Sequence, residues 1–243
     1  MSEATEFDPL LLFPGLGADA RMFAPLRSAL PQLVTPNWIE PERRESLVSY
    51  ARRLADTIDP GRPCFIGGAS FGGVIALEMS VALQARACFL IGSMRSPHGL
   101  PWRLKGLRPL ASLTGLLRLT AWYLPSLASA TFGPQARDVA QQLVDADAHF
   151  MRWAAGAILK WKPSPEVDDI RVFQIHGGRD RVLPARLAQP DRVISNAGHV
   201  LSVTHPAATV EFLLNGMQSV REAERSREER LTEGAMPQLF DPK

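Results

Sequence analysis

Gly68-Ala69-Ser70-Phe71-Gly72 fits the pattern G-x-S-x-G, in which small residues flank a serine on a turn too tight for bulky neighbours and leave its hydroxyl exposed. A serine hydroxyl is a poor nucleophile at neutral pH. It needs a histidine to take its proton, and the histidine needs a carboxylate to hold its tautomer and stabilise the imidazolium. His176-Gly177-Gly178-Arg179-Asp180 and Asn196-Ala197-Gly198-His199 supply both. Together Ser70, His199 and Asp180 would perform acyl transfer through an acyl-enzyme. The tetrahedral species on that path carries an oxyanion and needs hydrogen-bond donors. One candidate is the backbone N–H of Phe71, directly after the serine, and the loop after the first apolar run, Phe13-Pro14-Gly15-Leu16-Gly17, offers further amides. Pro14 has no N–H and cannot donate.

For these residues to meet, each must sit where a strand ends on one edge of a sheet. Leu10 to Phe13 is a continuous apolar run stopped by Pro14-Gly15, as in a strand buried on both faces of a parallel sheet. Asp19 to Leu30 reads as a helix and Leu33 to Ile39 as a second strand. Ser46 to Ile58 has apolar residues at helical spacing. Pro63 to Gly68 is a further buried strand, Phe71 to Leu83 an apolar helix, and Ala87 to Ile91 the next strand. After an interruption the alternation resumes with the strands Val172 to Ile175 and Arg192 to Ser195 and a closing helix from Val200 to Leu214. Alternating strands and helices predict an α/β fold with a mostly parallel sheet. Asp180 and His199 then follow successive strands on the edge that carries Ser70.

The interruption, Ser93 to Val167, has no strand signal and is punctuated by prolines, which predicts a helical insertion. Between Met94 and Pro165 it holds nine basic residues, Arg103, Lys105 and Arg108 among them, against three acidic ones. Its large apolar residues include Trp102, Trp122, Phe150 and Trp153, which suit a greasy pocket. From Met217 the chain turns to interleaved Arg and Glu. The expected organisation is a core over 1–93 and 168–216, a helical cap over 94–167, and a charged C-terminal helix or tail over 217–243.

In their order Ser70, Asp180, His199, and with Pro184 beyond the acid and Pro206 and Phe212-Leu213 beyond the histidine, these segments resemble the α/β-hydrolase superfamily from about Leu10 to Leu214. That resemblance implies a sheet flanked by helices on both faces, and an insertion that covers the active site and sets specificity. It also implies the Leu16 amide as second oxyanion donor, although Pro14-Gly15 stands where the family commonly has His-Gly. Only nine residues precede the first strand, so the family's usual first two strands are expected to be missing and the sheet to have about six. In size and cap placement the chain is similar to the family's pimeloyl-acyl-carrier-protein methyl ester esterases. Together with the basic insertion, this implies an anionic or carrier-linked acyl ester or thioester as substrate.

Of 243 residues, 46% are hydrophobic and 21% charged, and the formal net charge is +2. This composition excludes a disordered chain and the broad basic face of a nucleic-acid binder. No apolar run approaches the roughly 18 residues of a membrane span, and the acidic N-terminus lacks a signal peptide's basic start, so a cytoplasmic protein is expected. Cys64 and Cys88 sit in apolar strands as small hydrophobes. No histidine or cysteine spacing matches a metal site, and neither metal nor cofactor is expected. Two alternatives remain. One is a hydrolase-fold protein that binds a ligand without turnover. The other is a dinucleotide-binding oxidoreductase, because Gly15-Leu16-Gly17-Ala18-Asp19-Ala20 matches G-x-G-x-x-A, with Glu40 about 20 residues on.

Overall fold

The structure is a computed structural model that describes residues 7–102, 141–142 and 144–234. Its strands are β1 (Leu10–Phe13), β2 (Leu33–Val34), β3 (Phe65–Ala69), β4 (Ala87–Ile91), β5 (Val172–Gly177) and β6 (Arg192–Ile194). They form one six-stranded sheet in the order β2-β1-β3-β4-β5-β6, parallel at every pairing. The helices are α1 (Leu47–Ile58), α2 (Phe71–Ala82), α3 (Ala148–Lys160), α4 (Ala185–Ala188), α5 (Leu201–Thr204) and α6 (Pro206–Gly234).

The central strands are apolar at every position because both faces are covered. Leu11 and Phe13 of β1, Ile66 of β3, and Cys88 and Leu90 of β4 belong to the core under α1 and α2. Their neighbours Leu10, Leu12, Phe65, Ala87, Phe89 and Ile91 face the opposite core, with Phe23, Leu26, Leu201 and Leu213. Period-two alternation therefore divides one unbroken apolar run between two cores. α1 buries Leu47, Tyr50, Ala51, Leu54 and Ala55, the i, i+3, i+4 stripe of an amphipathic helix, and the Ser46 hydroxyl caps it by accepting the Ser49 N–H at 3.1 Å. α2 is buried around its whole circumference from Phe71 to Ser80.

Three expected elements come out differently. Ala20–Leu26 is a short 3-10 helix rather than an α-helix running to Leu30; Pro25 lies inside it and supplies no N–H to an α-helical ladder. Only Leu33 and Val34 of the stretch to Ile39 pair with β1. Pro36 lacks the donor a continuing strand would need, and the Tyr50 hydroxyl anchors Ile39, donating to its carbonyl at 2.9 Å and accepting its N–H at 3.2 Å. The closing helix breaks at His205, just before Pro206, where the residue ahead of a proline is driven out of helical geometry. It then continues past Leu214 to Gly234. Met217 and Val220 are buried on it, and Arg221 reaches Asp8 at 3.4 Å while Glu224 pairs with Arg86. Among the described residues no helix is long and apolar enough to cross a membrane.

Glu78, 2% exposed on α2, fastens the chain that leaves α3. Its Oε1 accepts the Trp161 indole N–H at 2.7 Å and the Ser164 backbone N–H at 3.2 Å, and its Oε2 accepts the Ser164 hydroxyl. Glu78→Ala strands these donors in the core and is expected to destabilise the fold by about 3 kcal/mol. Glu78→Gln, which keeps a carbonyl acceptor, is expected to cost clearly less. Urea unfolding followed by tryptophan fluorescence measures both, and an unchanged midpoint for the alanine variant refutes the assignment.

Candidate active site

β1 pairs with β2 on one side and with β3 on the other, so the strand order reverses direction there. In open parallel sheets the crevice beyond the strand ends at such a switch is where ligands bind. The loop after β1 and the turn after β3 both open into it.

Ser70 is the single residue between β3 and α2, and its φ of +52° lies in the left-handed region, a conformation that costs a non-glycine residue about 1–3 kcal/mol. Its neighbours make this possible by lacking side chains. A Cβ on Gly68 would stand 2.5 Å from the Gly72 carbonyl carbon, and one on Gly72 would stand 2.3 Å from the carbonyl oxygens of Phe13 and Pro14. The turn is pinned on both sides. The Ser70 N–H donates to the Ile91 carbonyl at 3.0 Å, and the Ser70 carbonyl accepts the Ser93 hydroxyl at 2.6 Å and the Gly73 N–H at 3.1 Å.

Asp180 follows β5. Its Oδ1 accepts the Val182 and Leu183 N–H groups at 2.8 and 2.9 Å, and its side chain is fully buried. The two acid and histidine loops are laced together, because Gly178 N–H donates to the Ile194 carbonyl and Arg179 N–H to the Ala197 carbonyl, each at 2.9 Å. Gly177 permits this contact, since a Cβ there would meet the Gly198 carbonyl at 2.1 Å. His199 bridges the remaining pair. Its Nδ1 is 2.7 Å from Asp180 Oδ2 and its Nε2 is 3.0 Å from Ser70 Oγ. The consistent proton placement has Nδ1–H donating to the carboxylate and the serine hydroxyl donating to Nε2. The three residues thus form one hydrogen-bonded chain, suited to moving a proton off the Ser70 hydroxyl.

The loop after β1 packs against this serine: a Cβ on Gly15 would be 3.5 Å from Ser70 Cβ. The Ala18 N–H donates to the Gly15 carbonyl at 3.0 Å, closing a turn through Leu16 and Gly17, with Gly17 at φ +76°, as glycine allows at a turn's third position. The Leu16 amide belongs to that turn and the Phe71 amide to the first turn of α2. The element that follows is the short 3-10 helix, and the Asp19 N–H is already taken by Gln142 Oε1 at 2.9 Å. A dinucleotide pyrophosphate would need a helix N-terminus with free amides at this place, so the glycine spacing here serves a different turn.

Of the four aromatic residues singled out in the insertion, Phe150 and Trp153 pack on the side chain of Phe71, the residue after Ser70. Phe71 meets them edge-on with ring centroids 6.2 and 6.3 Å away. Trp102 is 84% exposed, and Trp122 lies outside the described residues, as do Arg103, Lys105 and Arg108. Trp38, which carried no signal beyond its hydrophobicity, completes the group at 5.3 Å from Phe150 and 5.9 Å from Phe71. Beside it lies a cleft of about 360 Å³ lined by Gly17, Ala18, Trp38, Glu40, Asp147 and Phe150. Ser93 also escaped the sequence reading, because its role rests on a contact with a backbone oxygen 23 positions away. Among the described residues no cluster of His, Cys, Asp or Glu is arranged to hold a metal ion.

A family model described as alpha/beta hydrolase family matches residues 10–212. No curated protein sequence matches the chain. Among solved structures, a hydrolase from Oleispira antarctica superposes with a TM-score of 0.72 at 17% identity, covering 88% of this chain and 92% of its own. A thermophilic esterase from Thermogutta terrifontis gives 0.70 at 16%, over 88% and 90%. An enol-lactonase from Burkholderia xenovorans gives 0.65 at 17%, over 89% and 94%. At these identities the likeness to the three structures is one of fold.

His176 stands behind the acid loop, fully buried, with its Nε2–H donating to the Leu183 carbonyl at 2.9 Å. Its Nδ1 has no partner among the described residues, and burial pushes its pKa below 6.5, with the nearby Asp180 carboxylate opposing. The unfolded chain therefore binds more protons than the native protein as pH falls below about 6.5 toward the depressed native value. The neutral ring's contribution is complete above pH 6.5 and is lost on acidification. The stability advantage of the wild type over His176→Gln should consequently shrink from pH 7 to pH 5 in urea titrations; a constant difference would show that His176 does not titrate on unfolding.

Proposed function

The chain belongs to the alpha/beta hydrolase family, and from that premise we propose that it is a serine hydrolase of carboxylic esters. The observation that carries this reading is the chain from Ser70 Oγ to His199 Nε2 at 3.0 Å and from His199 Nδ1 to Asp180 Oδ2 at 2.7 Å. Ser70 Oγ attacks the carbonyl carbon as its proton passes to His199 Nε2, and the buried Asp180 carboxylate stabilises the imidazolium. The amides of Leu16 and Phe71 hold the oxyanion. Collapse expels the alcohol, which takes the proton from Nε2. A water then gives its proton to the same nitrogen and attacks the acyl carbon; as the acyl–Oγ bond breaks, Ser70 Oγ takes that proton back from Nε2 and the acid leaves.

The strained serine backbone supports the nucleophilic role, because it holds the hydroxyl at the sheet edge rather than in a helical rotamer along α2. The helical insertion acts as the cap, with Phe150 and Trp153 of α3 forming an aromatic wall over Phe71. The described cleft beside Trp38 does not favour an anionic acyl group. Among the described residues its charged lining is the carboxylates Glu40 and Asp147, whereas Arg44, Lys160 and Lys162 line a separate groove with Trp153 and Trp161. A neutral ester with an apolar group fits the aromatic cleft better than a carboxylate-bearing or carrier-linked one.

Intact-mass analysis after treatment with a small fluorophosphonate is expected to show one adduct, absent in Ser70→Ala, with esterase turnover in that variant down by at least about 10³. A folded wild type without adduct overturns the nucleophile and leaves a ligand-binding protein. In a panel of 4-nitrophenyl esters, butyrate is expected to exceed the similarly sized succinate monoester in kcat/KM by about fivefold, which corresponds to about 1 kcal/mol of repulsion in a water-filled cleft. Faster turnover of the succinate restores the anionic substrate.

A further inference from the structure

Gln142 is 3% exposed, and its Oε1 accepts the N–H of Asp19, 123 positions earlier in the chain, at 2.9 Å. Asp19 is where the turn after β1 ends. Upstream of it the Gly15–Ala18 hydrogen bond closes the turn that contains Leu16, and Gly15 lies against Ser70. A second link runs through charge: the Arg21 guanidinium holds Asp19 at 2.7 Å and reaches Asp145 at 3.3 Å. Both carboxylates and the guanidinium are about half exposed, so this bridge is screened by water and weak. The neutral bond of Gln142 is sheltered, and a sheltered N–H that loses its acceptor must find another by moving. Residues of the insertion therefore grip the downstream end of the turn beside the nucleophile.

From this juxtaposition we propose that Gln142 is a positioning residue for the Leu16 amide, fixing the turn so that this N–H is aimed before the oxyanion forms. The inference rests on the reading of Ser70 as nucleophile and Leu16 as donor. Its physical basis is that an oxyanion donor accelerates reaction only when it is already oriented and needs no reorganisation as charge develops. The insertion then has two tasks, walling the cleft through α3 and setting the geometry of the chemistry through Gln142.

The test compares Gln142→Met, which keeps length and removes the acceptor, with Gln142→Glu, which keeps an acceptor. The readouts are the second-order rate of Ser70 phosphonylation by a small fluorophosphonate, kcat and KM for 4-nitrophenyl acetate, and the urea midpoint. Deleting one oxyanion donor outright costs about 10²–10³ in rate, so loosening one is expected to cost about tenfold. Gln142→Met should slow phosphonylation and kcat by about that factor with KM within about twofold, and Gln142→Glu should stay within about twofold of the wild type. If the methionine variant does not fold, Gln142→Asn, which withdraws the acceptor by one bond, carries the same expectation. A wild-type phosphonylation rate in the acceptor-less variant, or an equal loss in Gln142→Glu, overturns the proposal while Ser70 still reacts. Absence of any adduct on the wild type overturns the nucleophile, and the role of Gln142 with it.

Discussion

The single residue between β3 and α2 has to reverse the chain, and the rest of the molecule is arranged around that reversal. Ser70 accomplishes it at φ +52°, and the cost of about 1–3 kcal/mol for such a backbone is offset only because its surroundings leave no alternative. The Ile91 carbonyl, the Ser93 hydroxyl and the Gly73 N–H take up its backbone polar groups. Gly68 and Gly72 let α2 descend onto the ends of β3 and β1 at distances no Cβ would tolerate. A helix seated that deep cannot have a wet face, which is why α2 is buried on all sides.

The same constraint explains where the other side chains converge. With Ser70 held at the end of β3, its hydroxyl is met by a side chain that emerges from the same sheet edge, His199 after β6. The acid and histidine loops after β5 and β6 are bound to one another through backbone hydrogen bonds. Asp180 is held by two further amides on the oxygen that His199 does not use. The imidazole is thereby supported from behind by a carboxylate that has little freedom to turn, an economical way of keeping Nε2 facing the serine. His176 reinforces the arrangement by bonding to the Leu183 carbonyl, whose own N–H serves Asp180.

The aromatic wall follows a different rule. Trp38, Phe71, Phe150 and Trp153 come from three separate parts of the chain and meet in tilted and edge-on pairs, with the Trp153 indole N–H donating to the Glu45 carbonyl at 3.0 Å. Packing of this kind fixes ring positions through mutual contact rather than through a backbone pattern. It builds an apolar surface around the Phe71 ring, next to Ser70, from side chains that belong to none of the three hydrogen-bonded residues Ser70, His199 and Asp180.

What the sequence by itself determined was whatever local rules encode. The unbroken apolar runs at Leu10–Phe13 and Ala87–Ile91 marked strands covered on both faces, the stripe from Leu47 to Ala55 marked a one-sided helix, and the glycines around Ser70 marked a turn of that tightness. The order of Ser70, Asp180 and His199, each just beyond the end of a strand, then implied one shared edge. Where local patterns compete, the sequence was a poorer guide. Pro25 and Pro36 cut short elements whose hydrophobicity suggested greater length, and the interleaved charges after Met217, which did mark a charged helix, hid that it continues the closing helix, buries Met217 and Val220 and pairs Glu224 with Arg86. Only the tertiary structure decided the roles of Ser93, Trp38 and Gln142. Each depends on a partner tens to more than a hundred residues away, and such contacts leave no period, spacing or turn signature in the chain, because they arise from which surfaces the completed sheet brings face to face.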